Sequence, residues 1–126
     1  MSTETHPRPD RPLRGALQSF HLEAEISRLR EESEGRRNAI TLRKGEGLSL
    51  VLLVMKAGDR LDEHSAAGPI SLSVREGRIR FSAADEAIEA GAETVLTCDA
   101  GVRHTVEALS DAVCLLNIAA GSAARG

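Results

Sequence analysis

From Ala39 onward, β-branched and aliphatic residues come in runs of five to nine, each closed by a turn signal. That rhythm commits most of the chain to strands. AITLR leads through KGEG into LSLVLLVMK, and AGDR separates that run from the next. In PISLSVR the residues Ile70, Leu72 and Val74 alternate with Ser71, Ser73 and Arg75, and past Gly77 the alternation resumes as Ile79 and Phe81 against Arg78, Arg80 and Ser82. A period of two belongs to a strand with one buried face, so the serines and Arg75 are expected to point away from the core. ETVLTC, HTVEAL and AVCLLNIA complete the series. Short strands on short turns predict an all-β fold, a small antiparallel barrel or sandwich. GEG at 45–47 reads as a hairpin turn rather than a phosphate loop.

The residues ahead of the strands obey a different period. Leu22, Ile26 and Leu29 recur at helical spacing among Glu23, Glu25, Arg28, Arg30, Glu31 and Glu32, with Gly35 placed to end the helix. This predicts a short amphipathic helix over residues 20–36 that packs on the outer wall of the domain, its charges in solvent. Pro7, Pro9 and Pro12 crowd an opening segment with almost no apolar residue, which favours extended, unpacked chain. The expected organisation is a disordered tail over 1–19, the helix, a barrel domain over 37–120 and a flexible C-terminus over 121–126. His6 belongs to the tail and reads as solvated; His21 reads as packing or capping locally.

A chain of 126 residues has room for one core. Its longest apolar run, the six residues Leu50 to Met55, is far short of the ~18 that cross a bilayer, and with no apolar leader at the start the expected place is the cytoplasm, away from membranes. A net charge of −3 and only Phe20 and Phe81 as aromatics argue against nucleic acid, which calls for a basic surface and stacking rings. Cys98 and Cys114 lack a paired spacing and read as free thiols. Exposed edge strands in a small barrel favour pairing, so a homodimer is expected, with part of the apolar run Leu48 to Met55 serving the interface.

The segment Gly58 to Gly77, GDRLDEHSAAGPISLSVREG, resembles the first motif of the cupins: a glycine, five residues, H-x-H, three or four residues, a glutamate, six residues and a glycine. Gly58, His64 and Gly77 match; Ala66 stands at the second histidine and Ile70 at the glutamate. The stretch Glu93 to Ala108, ETVLTCDAGVRHTVEA, is similar to the second motif, G, five residues, P-x-G, two residues, H, three residues, N. There Gly101 and His104 match, while Glu93, Asp99 and Ala108 replace the first glycine, the proline and the asparagine. The resemblance implies a cupin-like double-stranded β-helix, a small antiparallel barrel with a short N-terminal helix, that brings His64 and His104 to one cavity.

What the resemblance implies for chemistry is divided. Two imidazoles can hold Fe, Mn, Ni or Zn, but catalytic sites usually add a third protein ligand; Asp62, Glu63, Asp99, Glu107 and Cys98 are the donors near in sequence, several of which strand alternation turns outward. Replacing two ligands by Ala66 and Ile70 makes the cavity more apolar, which suits direct binding of a small organic molecule by His64, Ala66, Ile70 and His104. Either histidine is also a candidate catalytic acid or base without metal. Related cupins include dioxygenases, isomerases, epimerases and non-catalytic binding proteins, so a metal-dependent enzyme and a metabolite-sensing or scaffold module stand as alternatives.

Overall fold

The computed structural model describes residues 16–33 and 38–119, with the side chains of Ser33, Glu63 and His64 outside the description. The segment 1–15 with His6, Gly35 and residues 120–126 lie outside the described residues. Among the described residues, one helix, α1 (Leu22–Ser33), precedes nine strands: β1 (Ala39–Lys44), β2 (Leu48–Met55), β3 (Arg60–His64), β4 (Ile70–Glu76), β5 (Ile79–Ala83), β6 (Glu86–Ala90), β7 (Thr94–Cys98), β8 (His104–Ala108) and β9 (Ala112–Ala119). They form a five-stranded sheet, β1-β2-β9-β4-β7, and a four-stranded sheet, β3-β8-β5-β6. Every pairing is antiparallel. The fold is the expected all-β barrel with a short helix in front.

Strand alternation builds the core. Ile70, Leu72 and Val74 on β4 stand opposite Ile118, Leu116 and Cys114 on β9, and all of them face Ile79, Phe81, Val106 and Ala108 of the other sheet in one apolar cluster. Ser71 and Ser73 take the outer face, where Asn117 Nδ2 donates to Ser71 Oγ at 2.9 Å. The outer face of the four-stranded sheet is charged: Glu89, Arg80 and Glu107 stand side by side across β6, β5 and β8, with Arg60 next on β3. Arg80 donates to Glu89 at 2.9 Å and to Glu107 at 3.2 Å, a cross-strand alternation of sign that favours this register. Glu89 first and Glu107 second raise the pKa of the Arg80 guanidinium above its ordinary value.

β2 departs from alternation because both faces of its second half are covered. Leu53 and Met55 enter the barrel core, while Leu52 and Val54 join Ile26 and Leu29 of α1, Ile40 and Leu42 of β1 and Val113 of β9 in a second cluster on the outside of the sheet. Burying such side chains stabilises by about 1.5–3 kcal/mol each, so α1 is held by its apolar stripe. The chain's own helix thus accounts for the outward burial of Leu52 and Val54, while Leu48, in the part of the run left for the expected subunit interface, is 41% exposed. The polar face of α1 carries ion pairs from Arg28 to Glu25 and Glu32. His21 caps its start, with the Ala24 N–H donating to His21 Nδ1 at 3.3 Å. The helix begins two residues later than residue 20, the expected start. β6 is a strand that the sequence pattern did not reveal: EAIEA carries a single large apolar residue and only Ala90 is buried.

The glycines that carry the motif resemblance all have left-handed backbones, with φ of 93° at Gly58, 80° at Gly77 and 79° at Gly101. Glu93, at the position of the missing motif glycine, keeps the same kind of backbone with φ 70°. Among the described residues, no helix is long and apolar enough to cross a membrane.

Candidate functional site

One end of the barrel gathers the loop between β3 and β4, the β5–β6 turn, the loop between β7 and β8, and the end of β9. The first and third are tied by the Gly101 N–H donating to the Ala66 carbonyl at 2.9 Å, and the Ala119 N–H donates to Pro69 O at 2.9 Å. Left-handed Gly101 sends the chain into β8, whose first residue is His104. The backbone of His64, last in β3, stands opposite His104 across the β3–β8 ladder. Residues so opposed in an antiparallel pair are about 4.5–5.5 Å apart at Cα, which is how two histidines 40 positions apart in sequence are brought together.

His104 is 4% exposed. Its ring stacks on Phe81, with centroids 5.2 Å apart and planes 17° from parallel. Nδ1 lies 3.1 Å from the Val102 carbonyl oxygen, and because a carbonyl only accepts, Nδ1 carries the proton it donates. Nε2 is then the basic nitrogen. A histidine oriented in this way by a backbone carbonyl is prepared for proton transfer or for ligation through Nε2.

The motif positions that lost their ligands are part of the wall. Ile70 is 5% exposed, placed between Cys98 on β7 and Ile118 on β9, and Ala66 packs half-buried against the same core. The nearby donors sort by strand face. Glu107 lies outside, bound to Arg80; the Asp62 side chain is 95% exposed beside Arg60; Asp99 is exposed in the loop after β7. Cys98 faces the barrel, half-buried. The side chains of Glu63 and His64 lie outside the described residues. Among the described residues, no three His, Cys, Asp or Glu side chains cluster as a metal centre would need.

The register brings in one residue the sequence reading missed. Glu86 stands opposite Ala83, and Ala83 stands opposite His104 on its other side, so Glu86, Ala83 and His104 share one row. The adjacent row, Ile88, Phe81 and Val106, supplies Phe81 and Val106 to the core; with β6 unrecognised, no sequence signal placed Glu86 on the inner face. A separate groove of about 420 Å³ lies outside the barrel between residues 16–22 and the strands β1 and β2. Its lining includes none of His64, Ala66, Ile70, Glu86 and His104.

No family model and no curated protein matches the chain. Solved structures do. An RmlC-like cupin protein from Desulfovibrio desulfuricans is 30% identical, with a TM-score of 0.59 over 64% of this chain and 79% of that one. A cupin superfamily protein from Desulfitobacterium hafniense superposes with a TM-score of 0.63 at 17% identity over 65% of this chain and 75% of its own. Bacillus subtilis oxalate decarboxylase, a protein with Mn(II) centres, shares the fold at 24% identity and a TM-score of 0.58, the match covering 67% of this chain and 25% of that larger one.

Proposed function

This chain belongs to the cupin superfamily, and we propose that its barrel binds a small organic molecule directly at the open end, among His64, Ala66, Ile70 and His104. The observation that carries this reading is Ile70. Where the family motif has a carboxylate, this chain has a core side chain 5% exposed and flanked by Cys98 and Ile118. The wall is apolar there, and His104, held by Val102 O and Phe81, is the polar group that orients the ligand. Small-molecule sites commonly combine such a wall with few polar groups.

A metal reading has support of its own in the carbonyl-held His104. The residues that would hold Fe, Mn, Ni or Zn are His64 and His104, and the ion would supply a Lewis acid or redox centre. The donor set is short, because Ala66 and Ile70 offer no ligand atom and a first-row metal is held weakly by two imidazoles. Tag-free protein analysed for metal and heated with and without these ions separates the readings. We expect no stoichiometric metal and no rise in Tm; stoichiometric metal lost in both His64→Ala and His104→Ala would replace direct binding by metal chemistry. The proposal includes a homodimer in the cytoplasm, with pairing assigned to the edge strand β7, where Val95 is 61% exposed.

A further inference from the structure

Resting on that reading of the open end, we propose that Glu86 selects the charge of the ligand, so that the barrel takes a small molecule carrying an ammonium group on a short aliphatic body. The cross-strand register puts Glu86 on the inner row with Ala83 and His104. Two strand spacings separate it from His104, about 9–10 Å at Cα, and the residue between them is an alanine. Along that row the short side chain of Ala83 is all that stands between the carboxylate and the imidazole, so a ligand of a few carbon atoms would span the two. The adjacent row is apolar: Phe81 stacks on His104 and stands opposite Ile88.

The charge accounting of this sheet singles Glu86 out. On its outer face, Glu89 and Glu107 both bind Arg80, so the carboxylates of that row are matched. The Glu86 side chain is exposed and makes no hydrogen bond or ion pair among the described residues. Asp85, exposed and next to Glu86 in the chain, adds a second carboxylate at the β5–β6 turn. Its position is set by the tight β5–β6 turn, in which Ala84 has φ 53°.

The test uses two probes of equal length and opposite charge, n-pentylammonium and pentanoate, titrated into the full chain while the His104 ring signals are followed by NMR. The native protein should bind the ammonium about fivefold tighter, the upper range for a solvent-facing charge pair. Glu86→Gln should bring the two affinities within about twofold of each other, and Glu86→Lys should reverse their order. An unchanged Tm in the glutamine variant shows that the fold is not the cause. Equal affinities in the native protein, or a preference that survives Glu86→Gln, overturn the role of Glu86 and leave direct binding at the open end standing. If neither probe perturbs His104, the binding reading itself fails and the charge selection with it.

Discussion

The two ends of the barrel are made from the same strands and are finished in opposite ways. At the end where β4 turns into β5, side chains cap the backbone: the Ala57 N–H donates to Asp111 Oδ1 at 2.9 Å, the Arg78 N–H to Ser110 Oγ at 3.0 Å and the Lys56 N–H to Asp59 Oδ2 at 2.8 Å. The core residues behind these turns, Ile79, Val74, Ala108 and Ala112, are at most 2% exposed. At the other end the ties are the backbone pairs Gly101 to Ala66 and Ala119 to Pro69 and the His104 ring on the Val102 carbonyl. The inner side chains Ala66, Ala83, Cys98 and Ile118 are only half-buried. The closed end is finished by packed turns, while the open end combines half-buried walls with the buried, oriented His104 and the exposed Glu86.

Two glycines with nearly equal φ put that contrast to its strongest test. A Cβ on Gly77 would lie 2.0 Å from the Asp111 carbonyl oxygen and 2.9 Å from Ala112 Cα, whereas one on Gly101 would meet nothing within 4 Å. Gly101→Ala should therefore cost only the left-handed backbone penalty, about 1–2 kcal/mol. Gly77→Ala adds a backbone clash at the closed end and should cost about 3 kcal/mol or more. Urea unfolding of the two variants measures both. Equal losses would mean that the ends do not differ in packing as described.

The same contrast explains what could be read from sequence. Strands with one buried face, such as β4 and β5, announce themselves by alternation, and α1 by its helical stripe. The uninterrupted apolar run of β2 marks a strand, but alternation cannot tell burial under a helix, which covers Leu52 and Val54, from burial under a second subunit. β6 was missed because at the exposed rim Glu86 to Ala90 buries only Ala90, and a strand that buries little has little pattern. His104 was legible from its motif spacing, but its contacts with Val102 and Phe81 come from strand pairing and were not. Glu86 became visible only with the register of β6.

A smaller effect sharpens the distinction between motif positions that shape the backbone and those that carry ligands. Ile70 has been absorbed into the core, yet Glu93, in place of a motif glycine, still holds φ 70° and donates its N–H to Val74 O at 2.8 Å. The backbone requirement has outlasted the residue that meets it without strain. Glu93→Gly should relieve about 1–2 kcal/mol of left-handed strain and lose part of it to the greater freedom of glycine in the unfolded chain. The net expectation is a gain of about 0.5–1 kcal/mol, seen as a higher urea midpoint. A loss of stability would mean that the Glu93 side chain contributes more than its backbone strain removes.

The smallest effect on stability at neutral pH comes from the two thiols, which report on the two environments directly. Cys114 is fully buried between Leu53 and Val74, and burial pushes its pKa from 9.0 up to about 11. Cys98 sits half-exposed at the open end, opposite Ile70. A disulfide reagent at pH 8 should modify one thiol per native chain and two per unfolded chain, and Cys98→Ser should abolish the native reaction. The folded state keeps the Cys114 proton where the unfolded chain has released it, so the unfolded state binds fewer protons between about pH 9 and 11 and unfolding becomes easier as pH rises through that window. Below pH 9 the thiol is protonated in both states and contributes no pH dependence. Cys114→Ala should therefore flatten the alkaline decline in stability while Cys98→Ser leaves it in place. Rapid native modification of Cys114 would show that the core opens to solvent on the reagent's timescale, and the contrast between a sealed interior and an accessible mouth would not hold.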